Sequence, residues 1–133
     1  MSNIIATISD IKNCDSLHIV EFIFHSQTLS MMSLELNENI KIGTKVKLAI
    51  KSSHISLAKN FNGDVSFENK LPTKVISIEN GELLSSVTLS VFDTTLEAIT
   101  TRKSIENMDL KVEDNITAFI QMSELSIVEI VND

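Results

Sequence analysis

The chain repeats itself, and that limits its folds more than any other feature. Residues 4–33 shifted by 67 fall on 71–100: Ile11 on Ile78, Asn13 on Asn80, Leu17 on Leu84, Val20 on Val87, Thr28 on Thr95, Leu29 on Leu96. Residues 40–57 shifted by 70 fall on 110–127: Lys41 on Lys111, Ile50 on Ile120, Ser53 on Ser123, Ser56 on Ser126. The two offsets differ by three, so the first copy is three residues shorter between Ser33 and Ile40. A unit of roughly 60–65 residues is too long for a solenoid repeat. It fits two tandem small domains, 1–60 and 61–133, joined through a polar, turn-rich segment at about 59–70.

Each copy alternates apolar and polar residues, the period of a half-buried strand. Strands are expected near 3–12, 17–25, 28–33, 44–51 and 54–58, and again near 71–80, 83–92, 95–100, 115–122 and 125–131. Val20, Phe22 and Phe24 match Val87, Leu89 and Val91 as inward-facing residues. Five strands, with any helix between the third and fourth, is the order of a small OB-like barrel. The fold class is therefore all-β: two tandem OB-like five-stranded β-barrels, with one short helix in the second copy. A barrel this small buries a marginal core. Pairing of the copies or oligomerisation would relieve that.

The second copy carries the expected helix. Leu96, Ala98 and Thr100 alternate with Glu97 and Ile99, and the strand runs into Thr101-Arg102-Lys103-Ser104. Thr101 is a plausible N-cap, with Ser104 three residues on and Ile105 and Met108 as an apolar stripe. A helix start offers unpaired N–H groups to a small anion, although most hydroxyl-capped helices only cap themselves. In the first copy Leu34 stands where Thr101 stands in the second, and the helix start is missing.

Charge and composition exclude several functions. The net charge of −7 is concentrated in the second half. An acidic chain with no Trp or Tyr and six Phe is a poor nucleic-acid binder, for want of phosphate-neutralising charge and stacking platforms. No apolar run approaches the ~20 residues of a membrane span. Met1-Ser2-Asn3-Ile4-Ile5 lacks the features of a signal peptide, and a single Cys fits a reducing compartment. A cytoplasmic location is expected. His18, His25 and His54 show no metal-ligand spacing, and Cys14 falls in a turn with nothing to activate it. Lys45, Lys47 and Lys51 lie on one strand face, as a basic strip or simply a solvated face. No nucleophile–base pair or phosphate-cradling loop is present, so an enzyme is not expected.

The second copy resembles a Mop domain, the molbindin-type molybdate-binding unit related to the TOBE domains of transporter ATPases. The residues that carry the resemblance run from Ser66 to about Val128: Ser66 and Asn69; Val75, Ile78 and Gly81; Val87 and Leu89; Leu96, Ala98, Thr101 and Ser104; Leu110-Lys111; Ile120 and Ser123. The first copy is similar more loosely, with Ile50-Lys51-Ser52-Ser53 nearest the family's Ile-Lys-Ala-Ser. Two copies in one chain is the arrangement of di-Mop proteins. The resemblance implies molybdate or tungstate bound at domain interfaces for storage, buffering or delivery, in a homo-oligomer with a trimer favoured. A regulatory or interaction module of molybdate transport or sensing, acting on a transporter or regulator partner with a degenerate site, is the alternative.

The positions matching the family's ligand residues are Lys51, Ser53, Ser66, Thr101, Ser104 and Ser123. A tetrahedral dianion needs fixed N–H and O–H donors and a cation. Lys51 would neutralise charge, Thr101 and Ser104 would donate at the helix start, and Ser66 would close the site from another domain. Two positions depart from the pattern: Glu68 stands where the family carries Arg, and Gln121 where the first copy has Lys51. A composite site would combine Lys51 of the first copy with Thr101 and Ser104 of the second.

Overall fold

The computed structural model describes residues 1–132. Among the described residues, ten strands form two five-stranded antiparallel sheets. In the first copy they are β1 (Ser2–Cys14), β2 (Leu17–Phe24), β3 (Gln27–Ser33), β4 (Lys45–Ile50) and β5 (Ser56–Ala58). In the second they are β6 (Asn69–Asn80), β7 (Leu84–Val91), β8 (Thr94–Thr101), β9 (Asn115–Ile120) and β10 (Ser126–Ile130). A helix, α1 (Arg102–Met108), lies between β8 and β9. The two halves are OB-like barrels in tandem.

Alternation sets the faces. In β2, Val20, Phe22 and Phe24 are buried, and in β7 so are Val87, Leu89 and Val91. Val46, Leu48 and Ile50 of β4 also point into the core. Met31 is buried and its neighbour Met32 is exposed, as the period of two requires. The long first strand of each copy is bulged at matching places, between Ile8 and Asp10 and between Val75 and Ser77. A bulge bends a strand, which lets one long strand serve both sides of a small barrel.

The fifth strands are exchanged. The first sheet has the order β10-β4-β1-β2-β3 and the second β5-β9-β6-β7-β8. Ser126 and Ile127 of β10 pair with Ala49 and Leu48, while Ser56–Ala58 pair with Phe119, Ala118 and Thr117. Each copy therefore completes the other's sheet, which the expectation of a fifth strand ending its own copy did not include. The buried apolar side chains of both copies form one continuous cluster. That is how two barrels of marginal size acquire a larger core.

Two contacts mark an approximate two-fold axis, because each joins a residue to its own repeat counterpart. The rings of His25 and Phe92 stack at 4.7 Å, and 92 − 25 is the first offset, 67. His54 Nδ1 lies 2.7 Å from Glu124 Oε2, and 124 − 54 is the second offset, 70. Both His25 and Phe92 sit at positive φ, 54° and 52°, at the tips of their hairpins.

Candidate oxyanion site

The candidate residues fall on three structures. The first is a pair of short 3-10 turns. β4 ends at Ile50, and Lys51, in an extended conformation, leads into the turn Ser52–His54. β9 ends at Ile120, and Gln121, equally extended, leads into Met122–Glu124. Each turn packs on the edge strand of the opposite copy, the first on β8 and the second on β3. Lys51 and Ser53 are thus on one turn and Ser123 on the other. Lys51 and Ser53 are exposed, and among the described residues Lys51 has no carboxylate partner, unlike Lys12, Lys47, Lys59, Lys74 and Lys111. Lys47 meets Glu129 of β10 at 3.0 Å, so the lysines of β4 do not form an uninterrupted basic strip.

The second structure is the start of α1. Thr101 is its N-cap, and its hydroxyl oxygen accepts from Ser104 N at 3.1 Å. The same hydroxyl donates to Ser104 Oγ at 2.9 Å. The two hydroxyls therefore satisfy each other and one helix N–H, the self-capping arrangement. Arg102 pairs with Glu106 at 3.1 Å and also reaches the Gly81 carbonyl at 3.2 Å. Thr101 is the last residue of β8, the strand on which the Lys51 turn packs. Lys51 and Thr101 thus belong to adjoining elements from different copies, and no hydrogen bond joins them among the described residues.

The third structure is a small pocket of about 150 Å3 lined by Ser66, Glu68, Gln121, Ser123, Met32 and Met122. It brings Ser66 and Ser123 together. It also places the Glu68 carboxylate beside them, with an amide where the first copy has Lys51. A carboxylate opposes an incoming anion, so the electrostatics of the two turns differ. The six candidates therefore do not converge on one point: they divide between the Lys51 turn with the α1 start and the Ser66–Ser123 pocket.

Buried polar residues tie these elements down. Asn69, fully buried, accepts from Ser30 N at 2.7 Å and donates to Ser30 O at 3.0 Å. At the repeat-related place Ser2 Oγ accepts from Glu97 N at 2.8 Å. Buried Ser52 reaches Glu97 Oε1 at 3.4 Å. Sequence reading missed Ser2, Ser52, His54 and Glu124 as supports of the turns. The signal was available: Ser2 and Asn69 are 67 apart, as are Ser30 and Glu97.

On the far side of α1, Lys59 binds the helix C-cap, donating to Asp109 O at 2.6 Å and pairing with Asp114 at 3.1 Å. The Lys111 backbone N–H and the Lys59 ammonium hold the Asp114 carboxyl below its ordinary range. His18 and His25 bond Asn13 and Asp93, and no group of metal-binding side chains occurs among the described residues. No described helix is long and apolar enough to cross a membrane.

Residues 66–127 match the model of the TOBE domain family. Among solved structures, the chain is similar to a cytoplasmic molybdate-binding protein, ModG, crystallised with molybdate bound. The TM-score is 0.89 at 21% identity, over 94% of this chain and 93% of that one. A molybdate-binding protein from Sporomusa ovata aligns over 50% of this chain and 100% of its own, with TM-score 0.49 and 27% identity. No curated protein sequence matches the chain. The match to the TOBE model is confined to the second half of the chain, and the likeness in fold to the ModG structure extends over both halves.

Proposed function

We propose that the chain binds a tetrahedral oxyanion, molybdate or tungstate, where elements of the two copies meet, and that it stores, buffers or delivers it in the cytoplasm. A TOBE domain is a binding module and not an enzyme. The observation that carries the reading is the Lys51 turn. It presents an ammonium without a carboxylate partner among the described residues, and it packs on the strand whose end caps α1. Lys51 would supply the charge and Ser53, Thr101 and Ser104 the hydroxyls, with Thr101 and Ser104 turning from each other to the ligand. Ser66 and Ser123 would form the weaker, second-copy site. Capture would be by hydrogen bonds and charge, with no covalent step. A homo-oligomer, with a trimer favoured, would add donors from a neighbouring chain.

Glu68 favours a second reading. A carboxylate lining the Ser66–Ser123 pocket suits a domain that has lost one site and acts as a regulatory or interaction module for a molybdate transporter or regulator. Isothermal titration with molybdate, with sulfate as control and the solution mass measured alongside, separates the two. Saturable binding of molybdate alone, at a whole number of sites per oligomer, supports storage. No heat and no thermal stabilisation at millimolar molybdate would overturn it and leave the module.

A further inference from the structure

The repeat shows what is missing from the first barrel. In the second copy α1 crosses from one sheet edge to the other. It starts at the end of β8, and its C-cap Asp109 is bonded by Lys59, just beyond β5. Ile105 is buried beneath it and Met108 packs on the core. In the first copy the corresponding link is three residues shorter and has no helix. What is left between the edge strands β3 and β10 is an open groove of about 490 Å3. Its apolar surface includes Met32, Leu36, Ile127 and Val128. Met32 is 39% and Val128 56% exposed, and Leu34 beside the groove is 70% exposed.

We propose that this groove is a docking site for a short amphipathic helix of a partner protein, with apolar residues at i and i+3 and basic residues flanking them. The shape argument is internal: α1 of the second copy offers its own core an apolar pair, Ile105 and Met108, at that spacing. The charge argument comes from the rim. Glu35 and Glu129 line the groove, and none of the described residues lining it is basic. The Lys47–Glu129 pair is half exposed, so it screens Glu129 only in part. An added strand is a worse fit, because the Asn69 side chain already takes both backbone groups of Ser30 on the β3 edge. Methionine at the groove wall accommodates side chains of varied shape. Such a site lies apart from the Lys51 turn, shares Met32 and Ser123 with the edge of the Ser66–Ser123 pocket, and needs no oxyanion.

The test uses the full chain and a fluorescein-labelled, hydrocarbon-stapled 14-residue helix carrying Ile and Met at i and i+3 and Lys on both flanks. Anisotropy is expected to show saturable binding. Replacing the probe's Lys by Glu, or making Val128→Lys or Met32→Lys in the chain, is expected to weaken binding tenfold or more. Both chain positions are exposed, and unchanged thermal unfolding would show that the variants fold. Absence of saturable binding overturns the proposal, as does equal binding of the Glu probe or of the lysine variants. A change in the chain's own oligomeric mass on Val128→Lys also overturns it, since a second copy would then occupy the groove.

Discussion

Asn69 closes both backbone groups of Ser30, accepting from its N–H at 2.7 Å and donating to its carbonyl at 3.0 Å. A side chain at the start of the second barrel thereby does for the edge of the first what a neighbouring strand would do. Ser2 does half of this for Glu97 on the other side, with one bond at 2.8 Å. The two barrels are thus joined through sheet edges as well as through their exchanged strands.

That junction predicts a stability cost. Asn69→Ala leaves the part-buried N–H and carbonyl of Ser30 without their side-chain partner, each costing up to about 1–3 kcal/mol. A loss of about 2–4 kcal/mol is expected in urea unfolding, read as a lower midpoint at unchanged slope. Asn69→Ser should lose less, because a hydroxyl there reproduces the Ser2 arrangement. A midpoint unchanged in Asn69→Ala would mean that water replaces the side chain fully.

The proposed site predicts an order of effects. Lys51→Ala should weaken molybdate binding about tenfold or more, the loss of one charge-assisted contact. Gln121→Ala, at the repeat-related position but beside Glu68, should change it far less. Glu68→Gln should tighten any binding in the Ser66–Ser123 pocket by removing a repelling charge. Equal losses from Lys51→Ala and Gln121→Ala in the same titration would remove Lys51 from the site.

Much of this was legible in the sequence, for a reason that particular residues make plain. The repeat pairs Val20 with Val87 because both are buried, and Ile11 with Ile78 because both pack half-buried against the core. The Thr101 cap was legible because capping is local: Thr101 and Ser104 are three residues apart. The exchange of β5 and β10 was not legible. The segments around Ser56 and Ser126 carry the same alternation, and nothing within either states which sheet it joins. The division of the candidate residues between the Lys51 turn and the Ser66–Ser123 pocket was also not legible. It depends on which turn packs on which edge, a long-range fact decided by that exchange.

Asp114 predicts a pH dependence. Its carboxyl is held below the ordinary value by the Lys111 N–H and by Lys59. A depressed folded-state pKa contributes stability that is present above the unfolded value, about 3.9, and is lost as pH falls through the folded value. Between pH 5 and pH 2 the melting temperature should therefore fall more steeply in the wild type than in Asp114→Asn. Parallel curves would show that neither the Lys111 N–H nor the Lys59 contact contributes.

Backbone conformation predicts an asymmetry between the copies. Gly43 has φ 94°, and its counterpart Glu113 has φ 80°. A Cβ at Gly43 would meet nothing within 4 Å, so Gly43→Ala costs only the left-handed backbone, about 1 kcal/mol. Glu113→Gly should relieve strain of the same kind and stabilise by about 0.5–1 kcal/mol. It gives up only the exposed Lys74 pair at 3.2 Å. Thermal denaturation of the two variants should therefore move in opposite directions.

The exchanged strands predict that the barrels unfold together. A fragment of residues 1–60 lacks β10, so the outer edge of β4 is unpaired and Ser56–Ala58 have no β9 to join. A fragment of residues 61–133 lacks β5 in the same way. Neither fragment should show a cooperative transition alone, whereas mixing them should restore one. The whole chain should melt in a single calorimetric peak, with calorimetric and van't Hoff enthalpies equal. Two separable peaks would mean that each barrel holds its own core and that the exchanged strands are only a surface join.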